Sequence, residues 1–95
     1  VRIGVAATRE AVELRRLLAS DDPEVFLPDL ADSLNNLGVH LGQAGCQEEG
    51  WQATSEALSI FRALSTDTEG FHQGFAKCLI NWGERARPAA AALLP

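Results

Sequence analysis

The chain repeats itself, and that constrains its fold more than any other feature. SLNNLG at residues 33–38 returns as CLINWG at 78–83, with Leu34, Asn36 and Gly38 recurring as Leu79, Asn81 and Gly83 at an offset of 45. A second echo sets GVAATREAV at 4–12 against GWQATSEAL at 50–58. It aligns Gly4, Ala7, Thr8, Glu10 and Ala11 with Gly50, Ala53, Thr54, Glu56 and Ala57 at an offset of 46. Phe26 and Leu30 match Phe71 and Phe75 at 45. The change of one residue falls in an expected loop, where a deletion is well tolerated. A period of this length marks stacked helical repeats, each burying its apolar face against the next.

Apolar residues fall at helical spacing almost throughout, and no segment reads as a strand. The first helix is expected over residues 2–19, with Ile3, Ala7, Ala11, Leu14 and Leu18 facing inward, and stops at SDDP, 20–23. A second begins near Pro28, a residue suited to a first turn because its missing N–H would go unpaired there. It carries Leu30, Leu34, Leu37 and Leu41 and ends at 42–45. A third covers 47–65, with Trp51, Thr54, Leu58, Phe61 and Leu64 inward, and is broken by the loop 66–69. The fourth holds Phe71, Phe75, Leu79, Trp82 and Ala86; Pro88 is expected to kink or end it, with 89–94 as a further helical segment. Short joints make sequential helices antiparallel neighbours. The fold expected is all-α, an α-solenoid of antiparallel helix pairs with about four main helices.

Charge narrows the partners. Thirteen acidic against eight basic residues give a net charge of −5, which argues against nucleic-acid backbones, where clustered Lys and Arg would be needed. No apolar run approaches the ~20 residues of a membrane span, and no secretory leader is present. Cys46 and Cys78 have neither CxxC spacing nor disulfide-scaffold density, and read as free thiols in a reducing compartment. A soluble cytoplasmic protein is therefore expected. Lys77 is the only lysine among eight basic residues, a bias that suits a high-GC bacterial genome.

LNNLGVHLGQAG at 34–45, followed by QEEGWQATSEAL, resembles the tetratricopeptide repeat family, in its long kinesin-light-chain-like and bacterial form. Leu34, Leu37, Gly38 and Leu41 stand where that family places its large residue, Leu-Gly pair and second large residue. Gly50 and Ala57, with Gly4 and Ala11 in the other copy, stand at the small positions of its second helix. Small residues there let two backbones approach while large ones fill the adjacent gaps. The period exceeds the family's usual ~34 residues, a length that HEAT and armadillo repeats share more closely. The resemblance implies a right-handed superhelix: residues 1–20 the second helix of one repeat, 26–65 a complete pair, and 69–95 the next first helix plus a tail. Such a phase implies a piece of a longer array.

First helices of that family line a groove that takes extended peptides or partner helices. The resemblance places Asp32, Asn35, Asn36, Val39, Lys77, Ile80, Asn81 and Glu84 in it. Asn offers both donors and acceptors to a peptide backbone, and Asn35 and Lys77 are the ligand contacts favoured. Asn36 and Asn81 divide between groove contacts and hydrogen bonds that hold the repeat together. Asn36 and Lys77 also fall where some family members clamp a terminal carboxylate, with Asn81 where an Arg would help.

Phe71, Phe75 and Trp82 on the last helix read as an exposed aromatic self-association face. His40–Cys46 and His72–Cys78 share a spacing of six residues that puts each pair off one helical face, unlike the tighter pairs of zinc sites. Glu48 and Glu49 suit the positive end of a helix dipole; Arg15 and Arg16 read as a solvated face. No catalytic set, metal site or cofactor motif emerges. The expected function is a protein-interaction scaffold that is not an enzyme and binds a peptide or helix of another protein. The alternative is a structural oligomerisation segment with no peptide ligand, assembling through exposed terminal helix faces.

Overall fold

In the computed structural model the described backbone comprises residues 2–64 and 69–92, with side chains described for 4–64 and 71–84. Four helices and, among the described residues, no strand make up the chain: α1 (Arg2–Asp21), α2 (Pro23–Gln43), α3 (Gln47–Ala63) and α4 (Glu69–Ala92). The expected all-α class holds. The loop expected at 66–69 and the tail beyond Ala92 lie outside the described residues, apart from Glu69.

Local chemistry accounts for where the helices begin and end. Only Asp22 separates α1 from α2. Its carboxylate accepts from the Val25 N–H at 3.4 Å, and Pro23 takes the first helical position. Asp22-Pro23 is thus an N-cap followed by its preferred N1 residue, and α2 starts earlier than Pro28, which sits inside the helix. The α2–α3 turn closes on Gly45, whose φ of +88° is the left-handed conformation glycine adopts cheaply. There the Cys46 N–H reaches the Leu41 carbonyl at 2.8 Å and the Gly45 N–H the Gly42 carbonyl at 3.2 Å, the paired bonds of a Schellman ending. Helix α4 runs through Pro88 instead of stopping at it. Proline removes one hydrogen bond there, and the alanine run after it is the best helix-forming sequence available.

Helix α2 is the centre of the molecule and packs on the other three, while α4 also packs on α3. Leu30, Leu34, Leu37 and Leu41 are all buried, as their spacing predicts. Each contributes about 1.5–3 kcal/mol by leaving water. Contacts fix the helix directions: Trp51 meets Trp82 while Phe61 meets Phe71 and Phe75, so α3 and α4 are antiparallel. Ion pairs Arg9–Glu49 and Arg16–Glu56 advance together, so α1 and α3 run parallel. At the α2–α3 contact, Gly38 sits against the Thr54 side chain and the Gly50 carbonyl. Thr54 is held by donating its hydroxyl to that same carbonyl at 3.0 Å.

Three assignments of inward and outward faces need correction. On α1 the buried stripe is Val12 and Ala19, with Val5, Thr8 and Arg15 half-buried, whereas Ala7, Leu14 and Leu18 are exposed. The stripe toward α2 is disguised in sequence by Arg15, which is occupied by Ser33 Oγ and the Asp29 carbonyl. On α4 Leu79 is exposed, and a Cβ on Gly83 would meet nothing within 4 Å. Leu79 and Gly83 therefore lack the packing role their counterparts Leu34 and Gly38 fill. The expected aromatic self-association face is turned inward: Phe71, Phe75 and Trp82 pack on the core. Their partners Phe61 and Trp51 line the same side of α3, so the aromatics form an internal seam.

Candidate functional site

Two lateral contacts shape the surfaces that could receive a partner. The first joins α2 to α4. Asn81 Nδ2 donates to Asn35 Oδ1 at 2.9 Å and to Thr54 Oγ1 at 3.3 Å. Asn35 is buried, so its amide is available only to this network. The expectation that Asn35 contacts a ligand is overturned: its carbonyl oxygen is one acceptor for Asn81, and a buried amide stays only where it is hydrogen-bonded. Asn81 takes the structural side of its two expected roles. A role as a carboxylate clamp fails at the same position, since Asn81's donors are committed within the fold.

The remaining groove candidates keep their exposure. Asp32 and Asn36 lie one turn apart on α2, exposed, with Val39 half-buried beyond them. Lys77, Ile80 and Glu84 follow at helical spacing on α4, all exposed. Their chemistry is mixed: one cation, two carboxylates, one amide and two apolar side chains. Such a strip can satisfy a peptide backbone and read one or two side chains, but holds no arrangement of groups for bond-making.

The second lateral contact lies between α1 and α3. A cleft of about 270 Å³ runs between them, floored by Leu34, Leu37 and Leu41 of α2 and bordered by Arg9, Arg16, Glu49 and Glu56. Arg16 grips Glu56 with both guanidinium nitrogens, Nη2 to Oε1 at 2.7 Å. Hydrogen bonding from Arg9 holds the Glu49 carboxyl below its usual range. Glu48 and Glu49 do stand in the first turn of α3 and Arg16 is exposed, as expected; the ion pairs add a second contact to Glu49 and Arg16. The signal was present, since Arg9 and Arg16 share the seven-residue, two-turn spacing of Glu49 and Glu56. Exposed pairs of this kind contribute little, about 0.2–1 kcal/mol.

The thiols and imidazoles do not converge. Cys46 is exposed at the α2–α3 turn, while Cys78 is fully buried with Sγ 3.7 Å from the Thr54 carbonyl. His40 lies over Gly4, and His72 stands edge-on to Phe71. No group of three or more His, Cys, Asp or Glu that could hold a metal occurs among the described residues. Burial pushes the Cys78 thiol from about 9 up to about 11. In the physiological range Cys46 is therefore expected to react with a thiol reagent at once and Cys78 only on unfolding; equal labelling rates in the native chain would contradict its burial. The sign of the pH effect follows. Above about 9 the unfolded thiol loses its proton while the native one keeps it, so stability declines from about pH 9 to 11. A Cys78→Ser comparison by urea denaturation across that range isolates the effect.

Among the described residues no helix is long and apolar enough to cross a membrane. No protein-family model matches the chain, and no curated protein or solved structure is detectably similar to it.

Proposed function

We propose that the chain is a tetratricopeptide-like helical-repeat scaffold that binds a peptide or a helix of another protein along the surface of α2 and α4. It performs no catalysis of its own and acts in the cytoplasm, most naturally of a bacterium. The observation that carries this reading is the lateral α2–α4 contact through Asn35 and Asn81. It sets two corresponding helices side by side and parallel, while Asp32, Asn36, Lys77, Ile80 and Glu84 stay open to solvent. A bundle of four helices would instead close α1 against α4. Here α1 and α4 are not neighbours among the described residues, a pattern that supports a solenoid. The dimensions, 46 × 31 × 19 Å, suit a flat stack better than a round bundle.

The test is selection of binders from a random peptide display library. Selected peptides are expected to lose about tenfold or more in affinity on Asn36→Ala with Lys77→Ala, a change of about 1.4 kcal/mol, with helicity unchanged. Binding indifferent to both substitutions would count against the α2–α4 surface as the receptor.

A second reading, a structural segment that assembles without a peptide ligand, is favoured by one observation. Leu14, Leu17 and Leu18 on α1, and Leu79 and Ile80 on α4, leave two apolar patches uncovered within the chain.

A further inference from the structure

The two uncovered patches are the two halves of an interface that the chain already makes once. On α2, Ala31, Leu34 and Gly38 are buried, Gly38 against Thr54 and Gly50 of α3. Their counterparts on α4, 45 residues on, are Ala76, Leu79 and Gly83, the same residue types, and all three are exposed. Leu34 is 1% exposed and Leu79 41%. The other half behaves alike. On α3, Ala53 and Ala57 are buried and Ile60 and Leu64 partly so, whereas of their α1 counterparts Ala7, Leu14 and Leu18 are exposed and Ala11 is half-buried. Thr8 even reproduces the hydroxyl bond of Thr54, donating to the Gly4 carbonyl at 2.6 Å as Thr54 does to Gly50.

We infer that copies of this chain join head to tail, α4 of one copy docking on α1 of the next in the arrangement that α2 makes with α3. Gly83 of the first copy then receives Thr8 and Gly4 of the second, as Gly38 receives Thr54 and Gly50.

Charge complementarity selects a second copy as the occupant. The Arg16–Glu56 ion pair joins α1 to α3 inside the chain. Shifted by one repeat, Arg16 corresponds to Arg62 and Glu56 to Glu10, so the joint brings Arg62 of one copy to Glu10 of the next. Both side chains are exposed. Neither has an ion-pair partner among the described residues. The match is incomplete at one point: Ile80 stands where Asn35 does, so the joint lacks the amide pair. It is accordingly weaker than the internal interface and concentration-dependent. A head-to-tail contact uses two different patches, so it does not stop at a dimer unless a ring closes.

This specifies the second reading above; it shares Ile80 with the proposed peptide surface, while Asn36 and Lys77, which test peptide binding, are not part of the joint. The experiment is light scattering on the 95-residue chain across a concentration series, with variants blocked at one end. Wild type is expected to grow beyond dimer. Gly83→Gln fills the space Thr8 of the next copy would occupy, while its Cβ meets nothing within 4 Å in its own chain, so it is expected to stay folded and monomeric. Leu14→Glu with Leu18→Glu blocks the other end with the same result. An equimolar mixture of the two blocked variants retains one good joint and is expected to give heterodimers and nothing larger. Glu10→Arg and Arg62→Glu each weaken assembly, and the double variant restores it. A wild type monomeric at every concentration would overturn the inference, leaving a different segment or protein as the occupant. So would a Gly83→Gln chain that assembles like wild type, or blocked variants that fail to pair. None of these outcomes touches the peptide-binding test.

Discussion

Phe61→Ala is expected to cost about 3–5 kcal/mol, the range for removing a large buried aromatic. Phe61 is almost wholly buried and is the hinge of the aromatic seam. Its ring stacks on Phe75 at 5.9 Å between centroids and meets Phe71 edge-on at 5.8 Å. Such pairs add about 0.5–1.5 kcal/mol beyond their buried area. Gly74 of α4 also lies against the Phe61 ring and has no side chain to fill the space that its removal leaves. Against a total stability of about 5–15 kcal/mol for a domain, this loss is a large share. Urea denaturation followed by circular dichroism checks it. A midpoint unchanged from wild type would mean that α4 does not rest on α3 through this ring.

Gly38→Val and Gly83→Ala are expected to move stability in opposite directions, although the two glycines are equivalent in the repeat. A Cβ at Gly38 would run into the Thr54 hydroxyl and lie 3.1 Å from the Gly50 carbonyl oxygen. Thr54 cannot swing aside without releasing its bond to Gly50 and its contact with Asn81. Overpacking of this kind costs about 3 kcal/mol. At Gly83 the added methyl meets nothing, so replacing glycine inside a helix should gain up to about 1 kcal/mol. Thermal melts of the two variants at low concentration decide the matter. Equal effects at both sites would mean that α2 and α4 have the same surroundings, contrary to the packing described.

How far these features could be read from the sequence depends on what each residue touches. The leucine ladder of α2 is fully legible because α2 packs on all three other helices and Leu30, Leu34, Leu37 and Leu41 are all buried there. The inward face of α1 was misplaced because the repeat pattern reports what a helix is built to meet. In α1 that includes a face that nothing among the described residues covers, so Leu14 and Leu18 look like core and are exposed. Phe71, Phe75 and Trp82 depart from the pattern in the opposite sense, because their partners Phe61 and Trp51 face α4, a pairing that helical spacing alone does not specify. Asn35 was misread because its contact is lateral, α2 to α4, and its counterpart in the second copy is Ile80, so repetition carries no trace of it. Asn81 was half legible for the same reason, its partner being visible only once α2 and α4 are placed side by side. The start of α2 lies five residues before Pro28 because Asp22-Pro23, which reads as a stop for α1, is also the N-cap and first residue of α2.

The central claim is that α2 and α4 are corresponding helices of successive repeats lying side by side. A double-mutant cycle on Asn35→Ala and Asn81→Ala measures it most directly, because the two amides are 46 residues apart in sequence and meet only through that contact. Each single change strands a buried polar group, at a cost of about 1–3 kcal/mol. Removing both removes the interaction only once, so the account predicts a coupling energy of about 1 kcal/mol or more between the two sites. Single effects that simply add, within about 0.5 kcal/mol, would contradict it.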